Sequence, residues 1–267
     1  YRYNKMKNKF KLIASLSIFF LTSLNINLYS AESGAHLIKT EWSFKGIFGT
    51  FDRGELRRGY QVYSEVCSSC HSISELSYRN LSEKGGPEFS IDLVKTIAAS
   101  FEITDGPNSD GEMFTRPGRL SDKFAKPYPN IQAATAANGG AYPPDMSVLV
   151  KARKGGAAYI YSLLQGYEEP PEGFQLDDGV YYNKFMSGNQ IKMPNMLSDD
   201  LVEYADGTKA TVEQMSKDIS SFLAWVSEPS LEARHKMGFR VILYLVVLAG
   251  LVYLSMNRLW SRIESKK

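Results

Sequence analysis

Cysteine is scarce in this sequence, with only Cys67 and Cys70 in a chain of 267 residues. A disulfide between such near neighbours would close a very short loop and would remove little entropy from the unfolded chain. The pair therefore indicates chemistry at this point of the chain rather than a stabilising cross-link.

The sequence also lacks a strong excess of charge of either sign, since its formal net charge is +2. Proteins that bind nucleic acid usually carry a concentrated basic surface, so we expect no nucleic-acid partner. Internal repeats, low-complexity tracts and sustained apolar–polar alternation are absent, and turn signals rich in glycine and proline separate short helical patches. This pattern predicts a mainly α fold with long irregular loops.

Long apolar runs occur only near the two ends of the sequence. At the N-terminus four lysines precede the apolar residues 12–21, and small residues follow at Ser30 and Ala31. This order predicts a secretory signal peptide over residues 1–31, with Met6 as a natural start. The alternative is a retained anchor, which the shortness of the apolar run disfavours.

The second apolar run, residues 241–256, carries no charge and is extended by Gly238 and Phe239. With Arg240 reaching toward the lipid headgroups, it attains about the 20 residues needed to cross a bilayer. Together with the signal peptide, it predicts an exported domain over residues 32–228 and a single-pass anchor with a short cytoplasmic tail over residues 229–267. The domain would face the periplasm at a bacterial inner membrane. A buried core helix is the alternative.

Two amphipathic helices can be placed by their N-terminal signals. The first begins at Asp52, with Glu55 in a capping-box position, and its apolar face runs through Leu56, Tyr60, Tyr63 and Cys67. The second begins at Thr211, with Gln214 at the matching position. Its apolar face consists of Met215, Ile219, Phe222 and Val226. A short hinge at residues 228–230 then separates this helix from the predicted anchor.

Residues 67–71 read Cys-Ser-Ser-Cys-His. Each thiol can add across one vinyl group of haem, and the adjacent histidine then points a ring nitrogen at the iron. The pattern therefore predicts covalent haem c on Cys67 and Cys70, with His71 as an axial ligand. A zinc site would need two further ligands, but no cysteine remains, and His36 and His235 stand alone. A thioredoxin-like redox pair would need a βαβ pattern, which is absent.

The residues leave three options for the second axial position: another histidine, a methionine or an open position. A His/Met pair raises the reduction potential and suits electron transfer. Met193 stands out because it lies on a polar, non-helical loop and precedes a proline, which restricts it to extended geometry. Met196 is the nearest rival and Met186 a weaker one. We expect His36 and His235 to be solvated.

Several longer motifs resemble the cytochrome c1 family. They are RRGYQVY at 57–63 ahead of the cysteines, KPYPN at 126–130, AANGGAYPPD at 136–145, ARKGG at 152–156 and GYEEPP at 166–171. The resemblance implies the haem subunit of a cytochrome bc1 complex, itself a dimer, with cytochrome b and a Rieske iron–sulfur protein as partner subunits. Such a subunit accepts one electron from the Rieske protein and passes it to cytochrome c.

The resemblance also implies roles for individual residues. Met193 would be the axial ligand, Arg153 would approach a haem propionate, and Tyr159 and Asn138 would line the haem. From the residues alone, Arg153 could equally be a solvated charge. Members of the family often carry further cysteines, and this chain has none. We therefore expect the loop around Met193 to be held by packing and prolines.

Residues 160–206 carry nine acidic residues against two lysines, a net charge of −7. An acidic surface beside the ligand loop would steer a positively charged redox partner, such as a basic cytochrome c. No nucleophile–base–acid arrangement emerges, so we expect an electron carrier without a separate active site. Two alternatives stay open: a free-standing membrane-tethered c-type shuttle, and a haem enzyme or sensor with an open iron position.

Overall fold

The computed structural model describes residues 36–265, so the predicted signal peptide lies outside the described residues. Within this range there are six α-helices, which are α1 (Arg53–Val62), α2 (Ile91–Ala99), α3 (Ile131–Ala137), α4 (Ala157–Leu164), α5 (Val212–Ser227) and α6 (Leu231–Glu264). The strands of this range form two short antiparallel pairs, β1 (Glu102–Asp105) with β2 (Phe114–Pro117), and β3 (Tyr181–Tyr182) with β4 (Gln190–Ile191). The prediction of a mainly α fold with long irregular loops is confirmed.

Helix α1 begins where its sequence predicts. The Asp52 carboxylate accepts a hydrogen bond from the backbone N–H of Glu55 at 2.9 Å. The predicted reciprocal half of the capping box is wrong, because the Glu55 carboxylate turns toward α5 instead. There it accepts a hydrogen bond from Ser221 at 2.8 Å and pairs with Lys217 at 3.1 Å. The backbone N–H of Asp52 donates to the Ser43 hydroxyl.

Helix α5 begins at its predicted cap, where Thr211 Oγ1 accepts from the backbone N–H of Gln214 at 3.1 Å. The predicted apolar face is buried, but so is most of the rest of the helix, including Ser216, Asp218 and Ser220. Helix α5 is therefore the central helix of the domain rather than an amphipathic surface helix. The second face carries small or hydrogen-bonded polar side chains, so its burial cannot be recognised from the sequence.

Helices α1 and α5 pack closely because glycine stands at their crossing. A Cβ added to Gly59 would lie 2.2 Å from the backbone oxygen of Asp218, so no larger residue fits there without moving the helices apart. Beside this contact, the Arg58 guanidinium binds both oxygens of the buried Asp218 carboxylate at 2.9 and 3.1 Å. This packing holds the C-terminal end of α1, just before the segment with the cysteines, against the core.

Helix α6 is the part of the described chain that is long and apolar enough to cross a membrane. Its apolar stretch is not buried within the rest of the described structure, so the buried-core-helix alternative is wrong. At about 1.5 Å per residue, its 34 residues extend for about 50 Å. Its first turn is fastened to the domain, because Arg53 binds both carboxylate oxygens of Glu232 at 2.6 and 3.0 Å.

Candidate haem-binding site

The cysteines follow a local widening of helix α1. Residues Tyr63–Cys67 form one π-helical turn, closed by a hydrogen bond from Ser68 N–H to Tyr63 O at 2.8 Å. The chain then turns tightly, because the backbone N–H groups of Cys70 and His71 both donate to Cys67 O, at 3.2 and 2.9 Å. Both thiols and the imidazole therefore project from one short turn. The sequence predicted the helix up to Cys67 but not its π turn, a feature that frequently accompanies functional sites.

Both cysteines are free thiols. Burial raises the pKa of Cys67 to about 12, and the nearby Cys70 adds to the effect. Redox-active and nucleophilic cysteines have a lowered pKa instead. The direction of this shift disfavours a thioredoxin-like pair. The spacing of Cys67 and Cys70 fits the two vinyl groups of haem instead.

The imidazole of His71 is oriented by a backbone carbonyl. Its Nδ1 lies 2.9 Å from Pro144 O, and a carbonyl can only accept, so Nδ1 carries the proton and Nε2 keeps a free lone pair. Burial lowers the pKa of His71 although the Pro144 hydrogen bond opposes this, which favours the neutral form that binds a metal. A partner of this kind on the second nitrogen is typical of metal-binding histidines.

A carboxylate that the sequence analysis missed holds this region together. One oxygen of Asp145 accepts from the hydroxyls of Ser72 and Ser74 at 2.8 and 2.7 Å and from the Ser74 backbone N–H at 3.0 Å. The other oxygen accepts from the Ser147 N–H at 2.8 Å. Asp145 thus joins the segment after His71 to the segment that contains Pro144. Only the position of Asp145 at the end of a family motif could have indicated it.

Met193 is half-buried and follows β4 on a bend of non-helical backbone, as its sequence predicts. The loop is fixed by hydrogen bonds, from the Tyr167 hydroxyl to Met193 O at 3.0 Å and from Lys192 Nζ to Gly139 O at 3.2 Å. Hydrogen bonds therefore fix this loop in addition to the expected packing and prolines. Because Gly139 contacts this loop and Pro144 contacts His71, the segment 139–144 touches both candidate ligand regions.

The rival methionines lie in different surroundings. Met196 is 41% exposed, whereas the sulfur of Met186 accepts a hydrogen bond from the Tyr159 hydroxyl at 3.4 Å. Met193 is half-buried, and no hydrogen bond to its sulfur occurs among the described residues. The assignment of Met193 over its rivals stays a prediction, and these contacts favour it.

The remaining predicted residues are distributed around the same loops. Asn138 donates to Ala134 O at 2.7 Å at the end of α3, immediately before the segment 139–144. Burial raises the pKa of Tyr159, and the positive charge of Arg153 opposes this shift, so these two side chains are near one another. Arg153 is exposed. Their roles toward haem stay predictions.

The donor set of this region fits haem c. It offers two free thiols, an imidazole with a free Nε2 and a half-buried thioether, which are the groups that a c-type haem requires. A zinc site receives no support, because residues 36–265 contain no cluster of three or more potential metal ligands among histidine, cysteine and acidic side chains. His235 is engaged elsewhere, 3.3 Å from Gly49 O.

The Cytochrome C1 family model matches residues 42–263. The chain belongs to the cytochrome C1 family. It is 49% identical to "Cytochrome c1 1, heme protein, mitochondrial" of Arabidopsis thaliana, over 89% of this chain and 76% of the relative. It is 47% identical to "Cytochrome b-c1 complex catalytic subunit, mitochondrial" of Candida albicans, over 89% of this chain and 82% of the relative. It is 48% identical to "Cytochrome b/c1" of Bradyrhizobium diazoefficiens, over 83% of this chain but 35% of that relative, so it spans about a third of that protein's length.

Membership of the cytochrome C1 family gives this chain haem binding and an electron-transfer role. The long apolar helix α6 and the bacterial relative agree with association with a membrane. The family resemblance predicted from the motifs is therefore confirmed. The expected absence of a separate nucleophile–base–acid site is compatible with this role, because an electron carrier makes and breaks no covalent bond in its substrate.

Replacing Asp145 by alanine is expected to lower the free energy of unfolding by about 2 kcal/mol, because four hydrogen-bond donors lose their acceptor. Burial opposes ionisation, but bonds from Ser147 and Ser74 hold the pKa of Asp145 at about 2. The contribution of this carboxylate is therefore complete above about pH 4 and is lost as the pH falls toward 2.

Chemical unfolding of the haem-loaded Asp145→Ala chain, at neutral pH and near pH ~2 to 3, measures this effect. Asp110→Ala is the control, because Asp110 is exposed on the β1–β2 connection and should leave stability unchanged. A deficit of the Asp145→Ala chain that stays constant between the two pH values would contradict the assignment.

Proposed function

We propose that this chain is the haem-bearing subunit of a cytochrome bc1 complex, which takes one electron from a Rieske iron–sulfur protein and passes it to cytochrome c. The observation that carries the proposal is the Cys-Ser-Ser-Cys-His turn at the end of α1, with His71 Nδ1 bound to Pro144 O and Nε2 left free. The relative from Candida albicans, named as a subunit of the b-c1 complex, supports the assembly.

The residues of this chain would fix one haem in a constant position. Cys67 and Cys70 would hold it by thioether bonds, and His71 and Met193 would occupy the two axial positions. Haem iron supplies a reversible one-electron couple when it is bound. Ligation by histidine and methionine raises its reduction potential and leaves no open position for a substrate.

The surroundings of these ligands serve placement rather than acid–base chemistry. Pro144 orients His71, Asp145 holds the neighbouring Ser72, and the Tyr167 hydroxyl holds the backbone of Met193. Arg153 would place its positive charge near a haem propionate, with Tyr159 and Asn138 along the haem. No proton needs to move in the transfer, so the chain requires positioned ligands and an edge that is accessible to a partner.

We further propose the topology that the sequence predicts. Residues 1–31 would direct export, residues 32–228 would form the haem domain on the periplasmic side of a bacterial inner membrane, and residues 229–267 would anchor it. The length and apolar character of α6 support the anchor. The complex would contain cytochrome b and the Rieske protein and would be a dimer, with bilayer lipid around the anchor.

An acidic surface supports cytochrome c as the electron acceptor. All nine acidic side chains of residues 160–206 are exposed. Glu168 pairs with Lys184 at 3.0 Å, and Asp206 pairs with Arg58 at 2.7 Å. The other seven have no such ion pair among the described residues, so their charge is available to attract a basic partner over a distance of about one Debye length.

Reversing two of these charges tests the acceptor. In the intact complex, Glu169→Lys with Asp177→Lys should slow reduction of added cytochrome c on the order of tenfold at low salt, and less at high salt. Stopped-flow spectroscopy with quinol as the reductant measures the rate. Glu102→Lys, a reversal at an exposed site on β1, is the matched control and should change the rate little. Equal effects of both reversals would contradict an acceptor site on the acidic segment.

The same preparation separates the alternatives. A bc1 subunit should co-purify with a b-type cytochrome and become reduced by quinol. Purification without any b-type cytochrome would favour a free-standing membrane-tethered shuttle. Binding of carbon monoxide to the reduced chain would indicate an open iron position and favour an enzyme or a sensor.

A further inference from the structure

Residues 43–50 form a short hairpin-like loop, which we call the tip loop. The backbone N–H of Thr50 donates to Ser43 O at 3.1 Å and closes its base. The N–H of Gly49 donates to Gly46 O at 3.2 Å, which makes a tight turn of residues 46–49. Gly46 has a φ of 85°, a conformation that favours glycine. The two central residues of this turn are Ile47 and Phe48.

Those two residues are unusually exposed for large apolar side chains. Ile47 is 76% exposed and Phe48 is 73% exposed, more than any other large hydrophobic residue that the structure describes, including those of α6. Single exposed apolar side chains are common on soluble surfaces. Two adjacent ones at the tip of a defined turn form a contiguous apolar patch instead. The turn presents them outward as a pair.

The tip loop is attached to helix α6 along one face. The backbone N–H of Phe51 donates to the Glu232 carboxylate at 3.0 Å, and Gly49 O lies 3.3 Å from His235 Nδ1. The rings of Phe48 and Phe239 meet edge to face, with centroids 6.2 Å apart. Positions 232, 235 and 239 are spaced by three and four residues, so they lie on the same face of a helix.

The direction of these contacts sets the depth of the tip loop. From Phe51 back to Phe48, the chain descends alongside α6 from Glu232 to Phe239, about 10 Å along the helix axis. Phe239 precedes the uncharged run that begins at Val241 by two residues, or about 3 Å. The headgroup layer of a bilayer is about 5 to 7 Å thick on each side. Phe48 therefore reaches the level where headgroups meet acyl chains.

We propose that the tip loop is a second membrane contact of this chain. Its occupant is phospholipid of the bilayer that α6 crosses, into whose headgroup–acyl boundary Ile47 and Phe48 insert. Large apolar side chains such as phenylalanine bury at this boundary in proteins that lie on a membrane surface. Lys45, exposed on the same loop, is placed to meet lipid phosphates. The inference rests on α6 as the membrane anchor of the proposed topology.

Photo-crosslinking in the intact complex tests the proposal. Ile47 is replaced by p-benzoylphenylalanine, the complex is reconstituted in vesicles of phosphatidylcholine and phosphatidylglycerol, and irradiated peptides are analysed by mass spectrometry. We expect an adduct of phospholipid mass that phospholipase shortens. The same replacement at Ile131, exposed at the start of α3, is the water-facing control and should give no lipid adduct.

Two outcomes overturn the proposal. A crosslink from position 47 to another subunit would make a protein the occupant. No lipid adduct at position 47, while the replacement at Val246 in the middle of the α6 apolar run gives one, would place the tip loop in water. If Val246 also gives no lipid adduct, the anchor itself fails, and both the proposed topology and this inference fall together. The electron-transfer assays above do not depend on this result.

Discussion

A Met193→Leu chain is expected to keep covalently bound haem but to lose most electron transfer from quinol to cytochrome c. Leucine has a similar volume and no sulfur, so it packs in the loop without ligating iron. Loss of the methionine ligand should lower the reduction potential on the order of 100 mV or more, since axial ligands set this potential over a range of about 0.8 V. A haem of lower potential is a poorer electron acceptor, so its reduction by the preceding carrier becomes unfavourable.

Three measurements on purified complex check this outcome. A redox titration gives the potential, absorption spectroscopy reports the weak far-red band of methionine-ligated ferric haem, and carbon monoxide binding reports an opened iron position. Met196→Leu and Met186→Leu are matched controls, because the first is exposed and the second is bound to Tyr159. An unchanged potential in Met193→Leu, with a lowered one in either control, would move the ligand to that rival.

An Arg58→Leu chain is expected to lose about 3 to 5 kcal/mol of unfolding free energy, which is the usual effect of removing one partner of a buried ion pair. The Asp218 side chain is fully buried at the crossing of α1 and α5, and Arg58 binds both of its oxygens. Burial already raises the pKa of Asp218. Without Arg58, this carboxyl must take up a proton or remain charged without a counter-charge, although Gln214 Nε2 still donates hydrogen bonds to it.

Thermal and chemical unfolding of the haem-loaded chain in detergent measure the loss. Arg57→Leu is the matched control, since the neighbouring guanidinium donates to the backbone oxygens of Pro87 and Glu88 and has no buried carboxylate partner within residues 36–265. It should cost about 1 kcal/mol. The double variant Arg58→Leu/Asp218→Leu should recover much of the loss, because the unpaired charge is gone. If Arg58→Leu and Arg57→Leu were equally stable, loss of the buried ion pair would not be the cause of the destabilisation.

Local signals in the sequence predicted the local structure well. The caps at Asp52 and Thr211 and the apolar face of α1 depend on residues within one or two turns, and the structure reproduces them. The long apolar run predicted α6 because crossing a bilayer requires length and composition alone. Features that depend on distant contacts were not predictable. The central position of α5 follows from packing against α1, and the Asp218 carboxylate is buried only because Arg58 lies across from it.

In the candidate site, too, the local features were predictable from the sequence and the features that depend on distant residues were not. The Cys-Ser-Ser-Cys-His turn is readable because covalent attachment needs its residues adjacent in sequence. The residues that fix this turn are not adjacent to it, since Pro144, which bonds to His71, and Asp145, which bonds to Ser72, lie more than 70 residues further along the chain. The widening of α1 into a π turn before Cys67 has no signal in its composition. Pro144, Asp145 and the π turn can therefore be assigned only from the three-dimensional structure.

The clasp between Arg53 and Glu232 has a mechanical consequence. The haem domain is joined to α6 through a bidentate ion pair, and Phe51 N–H binds the same carboxylate, so a rotation about residues 228–230 would have to break these three hydrogen bonds. Electron tunnelling weakens steeply with separation. In the function proposed above, the haem domain would therefore keep its place on the anchor, and the carriers that deliver and remove the electron would be the components that move.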